Sequence, residues 1–280
     1  MEIVRLGQGA DRTGRLDDDA IARTFAAAER FAVLSHEHNV ERTRFVATAA
    51  TRDASNSAVF VRGIEERIGV TPEVITGSME AELGYRGAIA GGRGWDSPVM
   101  TVDIGGGSTE FVLGRGSQIE STISVPMGCV RMSERHVHND PMTPDEVSAI
   151  QQDVRVLLDR VSGAVDLGSV ATLVGLAGTI TTLTAEARGL DSYQPQFIDG
   201  ARLNVAQILD AAEFMVRSPR EVRAARGYMH PGRVDVIGGG AIVWSEIVRR
   251  VAAEVEARGG TLTHAITSER DILDGIALTA

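Results

Sequence analysis

The chain has 280 residues, enough for about two domains with a substantial core and no need of covalent staples. Hydrophobic residues make up 43% and charged residues 24%, and the one cysteine, Cys129, excludes an internal disulfide and a cysteine metal cluster. A net charge of −10 argues against a general nucleic-acid or membrane-surface binder, so an anionic ligand must be met by local cations, and every one of the 28 basic residues is arginine.

The first sixteen residues, "MEIVRLGQGADRTGRL", hold no apolar signal core, and no run reaches membrane-spanning length, so a cytoplasmic location is expected. Residues 16–38 carry apolar side chains at helical spacing, with Asp17, Asp18 and Asp19 where a first turn favours acids. "RFVATAAT" (44–51) reads as a strand. Residues 55–69 read as a helix capped by Ser55 or Asn56 and stopped at Gly69. "TPEVIT" (71–76) reads as a strand, and 78–91 as a helix with Ser78 as its cap. This alternation predicts an α/β layer. "GGRGWDSP" (91–98) has the composition of a hinge. Beyond it, "VMTVDI" and "EFVLG" predict a hairpin, 119–128 a further strand, and 143–163 a long helix with Pro144 at its first position. "ATLVGLAGT" (171–179) reads as a buried strand running into a helix over 180–190. A glycine turn opens another helix over 234–260, and 262–278 close the chain as strand and helix.

The chemistry concentrates at glycine turns. In "TVDIGGGSTE" (101–110), Gly105, Gly106 and Gly107 permit positive φ and close approach of backbone to a ligand. Their amides can converge on an anion, and Ser108 and Thr109 add hydroxyl donors. Asp103 and Glu110 are hard oxygen groups suited to Mg2+. The set fits a phosphate with its magnesium. Two other turns share the design: "LAGTIT" (176–181), with Gly178 and Thr179, and "VIGGGAI" (236–242), with Gly238, Gly239 and Gly240. Each places glycine at the amide-rich, positive end of a helix. The histidine pairs His36 with His38 and His136 with His138 would share a face on a strand, but solvated loop positions are the expectation, and His230 and His264 have no visible partner. Arg131, Arg135, Arg223, Arg226 and Arg233 are a group from which a polyanion channel would draw its cations.

These segments, taken in order, resemble the exopolyphosphatase/guanosine pentaphosphate phosphohydrolase family over nearly the whole chain. "VDIGGGSTE" is similar to its second phosphate motif. "FVATAATRDASN", "EVITGSMEAELGYRGA", "PMGCVRM" and "LAGTITTL" are similar to its other signature segments. The resemblance implies two ribonuclease-H-like domains of the sugar kinase/actin superfamily facing across a cleft. The first would span 1–94 with a returning helix over 269–280, and the second 95–268. By position, Glu80 matches the general base, and the acid that precedes it in the family is Met79 here. Arg52 matches an arginine facing substrate phosphates, 105–109 the phosphate loop, and Asp103 and Glu110 the acids on the magnesium side. The residues alone do not separate Glu80 from Glu82; the resemblance selects Glu80.

The implied activity is Mg2+-dependent removal of terminal phosphates from inorganic polyphosphate. The alternatives are hydrolysis of guanosine pentaphosphate, a kinase of the wider superfamily, and noncatalytic binding of polyphosphate or nucleotide. The resemblance also allows a homodimer. The family's first phosphate motif, a D-x-G-T-N-S hairpin, is not found in these 280 residues. The expectation is therefore a start upstream, a fragment or a degenerate copy, with the chain as written poorly folded and nearly inactive.

Overall fold

The computed structural model describes residues 2–90 and 94–279. The chain begins with helices α1 (Ala10–Thr13) and α2 (Asp18–Glu37), then β1 (Val46–Ala47), α3 (Ala49–Arg52), α4 (Ser57–Ile68), β2 (Glu73–Val74) and α5 (Gly77–Ile89). A three-strand meander follows, β3 (Val99–Ile104), β4 (Thr109–Arg115) and β5 (Gln118–Val125), then α6 (Cys129–His136) and α7 (Pro144–Ala164). Next come β6 (Thr172–Leu176), α8 (Ala177–Ala187), α9 (Pro195–Ile198), β7 (Arg202–Asn204), α10 (Val205–Arg217) and α11 (Arg220–Ala224). The chain ends with α12 (Ile237–Ala257), β8 (His264–Thr267) and α13 (Ile272–Ala277).

The main sheet is mixed, in the order β5-β4-β3-β6-β8-β7, with β3, β6 and β8 parallel and the others antiparallel to their neighbours. Alternation along each strand decides what covers each face. Met100, Val102 and Ile104 of β3, with Phe111 and Leu113 of β4, enter the large core built with α7, α8, α10 and α12. On the opposite face, Val99, Val112, Val174 and Ile266 pack under Ala81, Tyr85 and Ala88 of α5. A separate small core of Leu16, Ile21, Phe60 and Ile64 holds α2 and α4 together. No helix among the described residues is long and apolar enough to cross a membrane.

Several expectations change. The strand expected over 44–51 shrinks to Val46–Ala47, and the one over 71–76 to Glu73–Val74. These two strands pair only with each other among the described residues. The alanines that follow β1 turn helical as α3, in line with their high helix propensity. Neither Ser55 nor Asn56 caps α4 through its side chain. Asn56 instead accepts from Leu16 N at 2.8 Å and donates to Leu16 O at 3.0 Å, pinning a buried loop. Thr76 rather than Ser78 caps α5, accepting from Met79 N at 3.2 Å. Pro144 opens α7 as expected, and Thr143 and Glu146, which sequence reading did not single out, form a reciprocal capping box around it. Helices α6 and α10 and strand β7 were not anticipated. The box of Asn204 with Gln207 and the buried spacing Ile208, Ala211, Ala212, Met215 were the available signals for α10. Of the expected hinge over 91–98, residues 91–93 lie outside the described residues.

The third glycine run departs most from expectation. Residues 234–236 form a turn, not a strand, and Gly238, Gly239 and Gly240 are buried inside the first turn of α12. A Cβ on them would lie 2.4 Å from Met142 Cε, 2.3 Å from Ser133 Oγ and 2.7 Å from Thr179 Oγ1. They serve close packing of α12 against α6 and α8, and form no phosphate turn.

Candidate active site

The loop joining β3 to β4 lies over the start of α6. Backbone N–H groups of Cys129, Val130 and Arg131 donate to Gly105 O at 3.0 Å and to Gly106 O at 3.0 and 3.1 Å, and Arg131 Nε donates to Gly107 O at 2.8 Å. A trans peptide points its N–H opposite to its C=O. With the three carbonyls held toward α6, the amides of Gly106, Gly107 and Ser108 turn the other way. A cleft of about 650 Å3 adjoins the loop, walled also by Glu80, by Gly178 and Thr179, by Arg233 and by Cys129, Val130 and Arg131 at the start of α6. None of the three loop glycines adopts positive φ, contrary to expectation. A Cβ on Gly107 would meet nothing nearer than Ala49 Cβ at 3.6 Å, so packing does not require glycine there. What its absent side chain provides is an open approach to the amides. The opposite wall carries Ala177 at φ 67°, a left-handed conformation that costs about 1–2 kcal/mol for an alanine and marks the turn from β6 into α8. Thr109, expected as a phosphate donor, is buried on the other face and donates to Met127 O at 2.6 Å.

Gly128 is the residue that lets the loop settle on α6, and sequence reading assigned it no role. A Cβ there would lie 2.2 Å from Gly106 O and 2.4 Å from Gly107 N. Gly128→Ala is expected to displace the loop and weaken orthophosphate binding at least tenfold, because backbone cannot yield as a flexible side chain does. Isothermal titration of orthophosphate, with a thermal melt as the folding control, checks this; unchanged affinity would remove the close approach from the account.

Glu80 lies in the first turn of α5, and its carboxylate receives Arg52 Nη1 at 3.2 Å. Burial raises its pKa; hydrogen bonding and charge from Arg52 oppose that. Arg52 also donates to Ile75 O at 2.9 Å, so in this structure it orients the acid beside it. Asp103 and Glu110 are opposite partners on β3 and β4 and face α5. Gly84 of α5 lies over them, and a Cβ there would stand 3.7 Å from Asp103 Oδ2, an ordinary contact. Burial pushes Asp103 up to about 7, with the charges of Asp271 and Glu80 adding to it. Glu110, 2% exposed, is pushed to about 8 by burial and by Glu80 and Asp103, while Ser108 and Ser124 pull it back. Ser124 donates to it at 2.7 Å from the register-opposed position on β5. Asp271 arrives because α13 crosses α5 through glycine: a Cβ on Gly87 would lie 2.0 Å from Asp271 O, and one on Gly275 2.0 Å from Leu83 O. Sequence reading missed both Ser124 and Asp271.

Residues 1–260 match the model of the Ppx/GppA phosphatase family. The chain belongs to that family. It is 45% identical to exopolyphosphatase 2 of Mycobacterium tuberculosis over 282 residues, covering 99% of this chain and 86% of the relative. The crystal structure of an exopolyphosphatase-like protein superposes with a TM-score of 0.96 at 40% identity, covering 99% of this chain and 89% of that one. The Ppx/GppA family member of Aquifex aeolicus superposes at 0.77 and 31% identity, with 99% and 86% covered.

Within this Ppx/GppA site the expected cationic group divides. Arg223, 6% exposed, is spent on Val234 O, Met215 O, Ser218 O and Asp140. Arg226 lies over the Phe214 ring beside Glu186, and Arg135 is paired with Asp11 and Asp153. Arg131 and Arg233 line the cleft. Arg233 covers Gly178 so closely that a Cβ there would lie 2.2 Å from its Nη2. Neither histidine pair is on a strand: His36 and His38 are exposed at the end of α2, and His136 ends α6 with Nε2 3.1 Å from Asp153. Among the described residues no three acid, histidine or cysteine side chains converge as a ready-made metal cage.

Proposed function

We propose that this chain is an exopolyphosphatase, releasing orthophosphate from the end of inorganic polyphosphate. The observation that carries the reading is a half-buried carboxylate, Glu80, on the same cleft as a glycine loop whose carbonyls are taken up by α6 and Arg131. In this reading the amides of Gly106, Gly107 and Ser108 bind the terminal phosphate, and Gly178 and Thr179 at the start of α8 hold its oxygens from the other wall. Glu80 takes the proton of the attacking water. Burial strengthens it as a base, and Arg52 keeps it ionised and aimed. Positioning and charge neutralisation are most of what phosphoryl transfer asks of a protein.

The acids fit a divalent cation. Glu110 is buried with Asp103 half-buried beside it, and the charge of Asp103 adds to the burden on Glu110, which hard-cation binding relieves. Held there, Mg2+ would neutralise phosphate charge. The proposed division places 1–94 and 269–280 in one ribonuclease-H-like domain and 95–268 in the other. In this division α5 and α13, which cross through Gly87 and Gly275, stay in one unit, and α5 also packs on the main sheet of the other.

The test is orthophosphate release from long-chain polyphosphate and from guanosine pentaphosphate, each with Mg2+ and with a chelator. Faster release from polyphosphate, abolished by chelation, is expected. Release from the nucleotide alone would replace the reading with nucleotide hydrolysis, and tight binding of either without turnover would make the chain a binder.

A further inference from the structure

The Arg131 side chain joins the back of the phosphate loop to the N-terminal part of the chain. Nε donates to Gly107 O at 2.8 Å, Nη1 pairs with Asp11, and Nη2 reaches Asp53 at 3.4 Å. Asp53 also neighbours Arg52, with Nε to Oδ1 3.8 Å, and Arg52 reaches Glu80 at 3.2 Å. A continuous series of polar contacts therefore runs from Glu80 through Arg52, Asp53 and Arg131 to Gly107.

The arms of this arginine do different things. Backbone N–H groups of α6 hold the Gly105 and Gly106 carbonyls, so those two peptides follow from the helix itself. The Gly107 carbonyl is held by the Arg131 side chain, so the aim of the Ser108 amide depends on a rotatable group. That group is 17% exposed and anchored at Asp11, which is 20% exposed and shared with Arg135 at 2.7 Å. Asp53 is 56% exposed, so its leg contributes orientation more than energy. A planar guanidinium serves three partners in fixed directions; a lysine ammonium on its flexible stem does not.

We propose that Arg131 is a positioning residue that aims the Gly107 to Ser108 peptide at the terminal phosphate and ties that aim to the segment carrying Asp11, Asp53 and Arg52. The consequence for turnover rests on the exopolyphosphatase reading; the consequence for the loop does not. The test uses the full chain with Arg131→Met, Arg131→Lys, Asp53→Asn and the double variant Arg131→Met with Asp53→Asn. Hydrogen exchange at Gly105, whose N–H donates to Ser108 O at 3.0 Å across the loop, is expected to quicken in Arg131→Met while the melting temperature moves little. The kcat for polyphosphate should fall about 10²-fold, the cost of a misaimed transition-state donor, with a much smaller change in KM. Arg131→Lys should not restore either quantity, and Asp53→Asn should cause a smaller loss that adds nothing to Arg131→Met. Unchanged exchange in Arg131→Met overturns the proposal whether or not the wild type hydrolyses polyphosphate. Full rescue by lysine, or additive losses in the double variant, overturns it too. Should Arg131→Met fail to melt cooperatively, the same exchange measurement on Asp11→Asn decides, with Arg135→Gln as the control for the other partner of Asp11.

Discussion

Glu80→Gln is expected to slow orthophosphate release from polyphosphate by about 10²–10⁴-fold, the usual contribution of a positioned general base. Affinity for polyphosphate should stay within a few-fold of wild type. The amide keeps the shape of the carboxylate and its place in the first turn of α5, and Arg52 retains its bond to Ile75 O at 2.9 Å. What the amide cannot do is accept the proton of water near neutral pH. Single-turnover phosphate release together with equilibrium binding of a labelled polyphosphate checks both halves. A rate within tenfold of wild type would place the base elsewhere. The pH profile gives a second readout. Burial raises the Glu80 pKa above its ordinary 4.5, so the wild-type rate should fall on the acid side at a pH above that value. That acid limb should be absent from the residual activity of Glu80→Gln.

Asp103→Asn is expected to cost activity and gain stability at once. The Asp103 carboxyl is pushed from 3.8 up to about 7 in the folded chain, first by burial and then by Asp271 and Glu80. Below about pH 4 it is protonated in folded and unfolded chains alike and has no linkage effect. Between that pH and about 7 the folded chain holds a proton that the unfolded chain releases, so stability falls as pH rises; above 7 the penalty is complete. Asparagine removes the charge. Without divalent cation, the variant should therefore melt higher than wild type at pH 8, with the gain fading toward pH 4. Each kcal/mol moves the melting temperature of a domain of 150–250 residues by about 2–4 °C. Mg2+ should raise the melting temperature of wild type more than that of Asp103→Asn, and the variant should need more Mg2+ for what activity remains. Thermal melts at pH 4, 6 and 8 with and without Mg2+ measure all of this. Equal Mg2+ stabilisation of the two proteins would take Asp103 out of the cation site.

Local chemistry made part of the site legible in advance. "VMTVDIGGGSTE" pairs an apolar alternation with a glycine break, so β3, the loop and β4 follow from period and turn residues alone. "LAGT" after an apolar strand announced the start of α8, and Pro144 at the head of an amphipathic pattern announced α7. The order of these segments pointed to the family, which the match over 1–260 then showed. Thr109 misled because its hydroxyl is chemically right for phosphate, while strand alternation turns it to the far face of the sheet. The 238–240 glycines misled because a glycine run looks alike whether it approaches a ligand or a neighbouring helix.

The chain's own residues determined the start of α7 at Pro144, the periodicity of β3 and β4, the glycine turn over 105–107 and the presence of acids on either side of it. These are short-range matters, set by φ/ψ preference and by side-chain spacing of two or three to four residues. Only the tertiary structure decided which groups became an active site. It laid α5 over β3, so that Glu80 joined Asp103 and Glu110, and set Ser124 opposite Glu110 by register. It crossed α13 on α5 through Gly87 and Gly275 to bring Asp271 from the far end of the chain. It also turned the loop amides outward by fastening their carbonyls to α6 and Arg131. Each of these depends on burial and on pairing across many residues of separation, and a carboxylate grows stronger as a base where water has been taken from it.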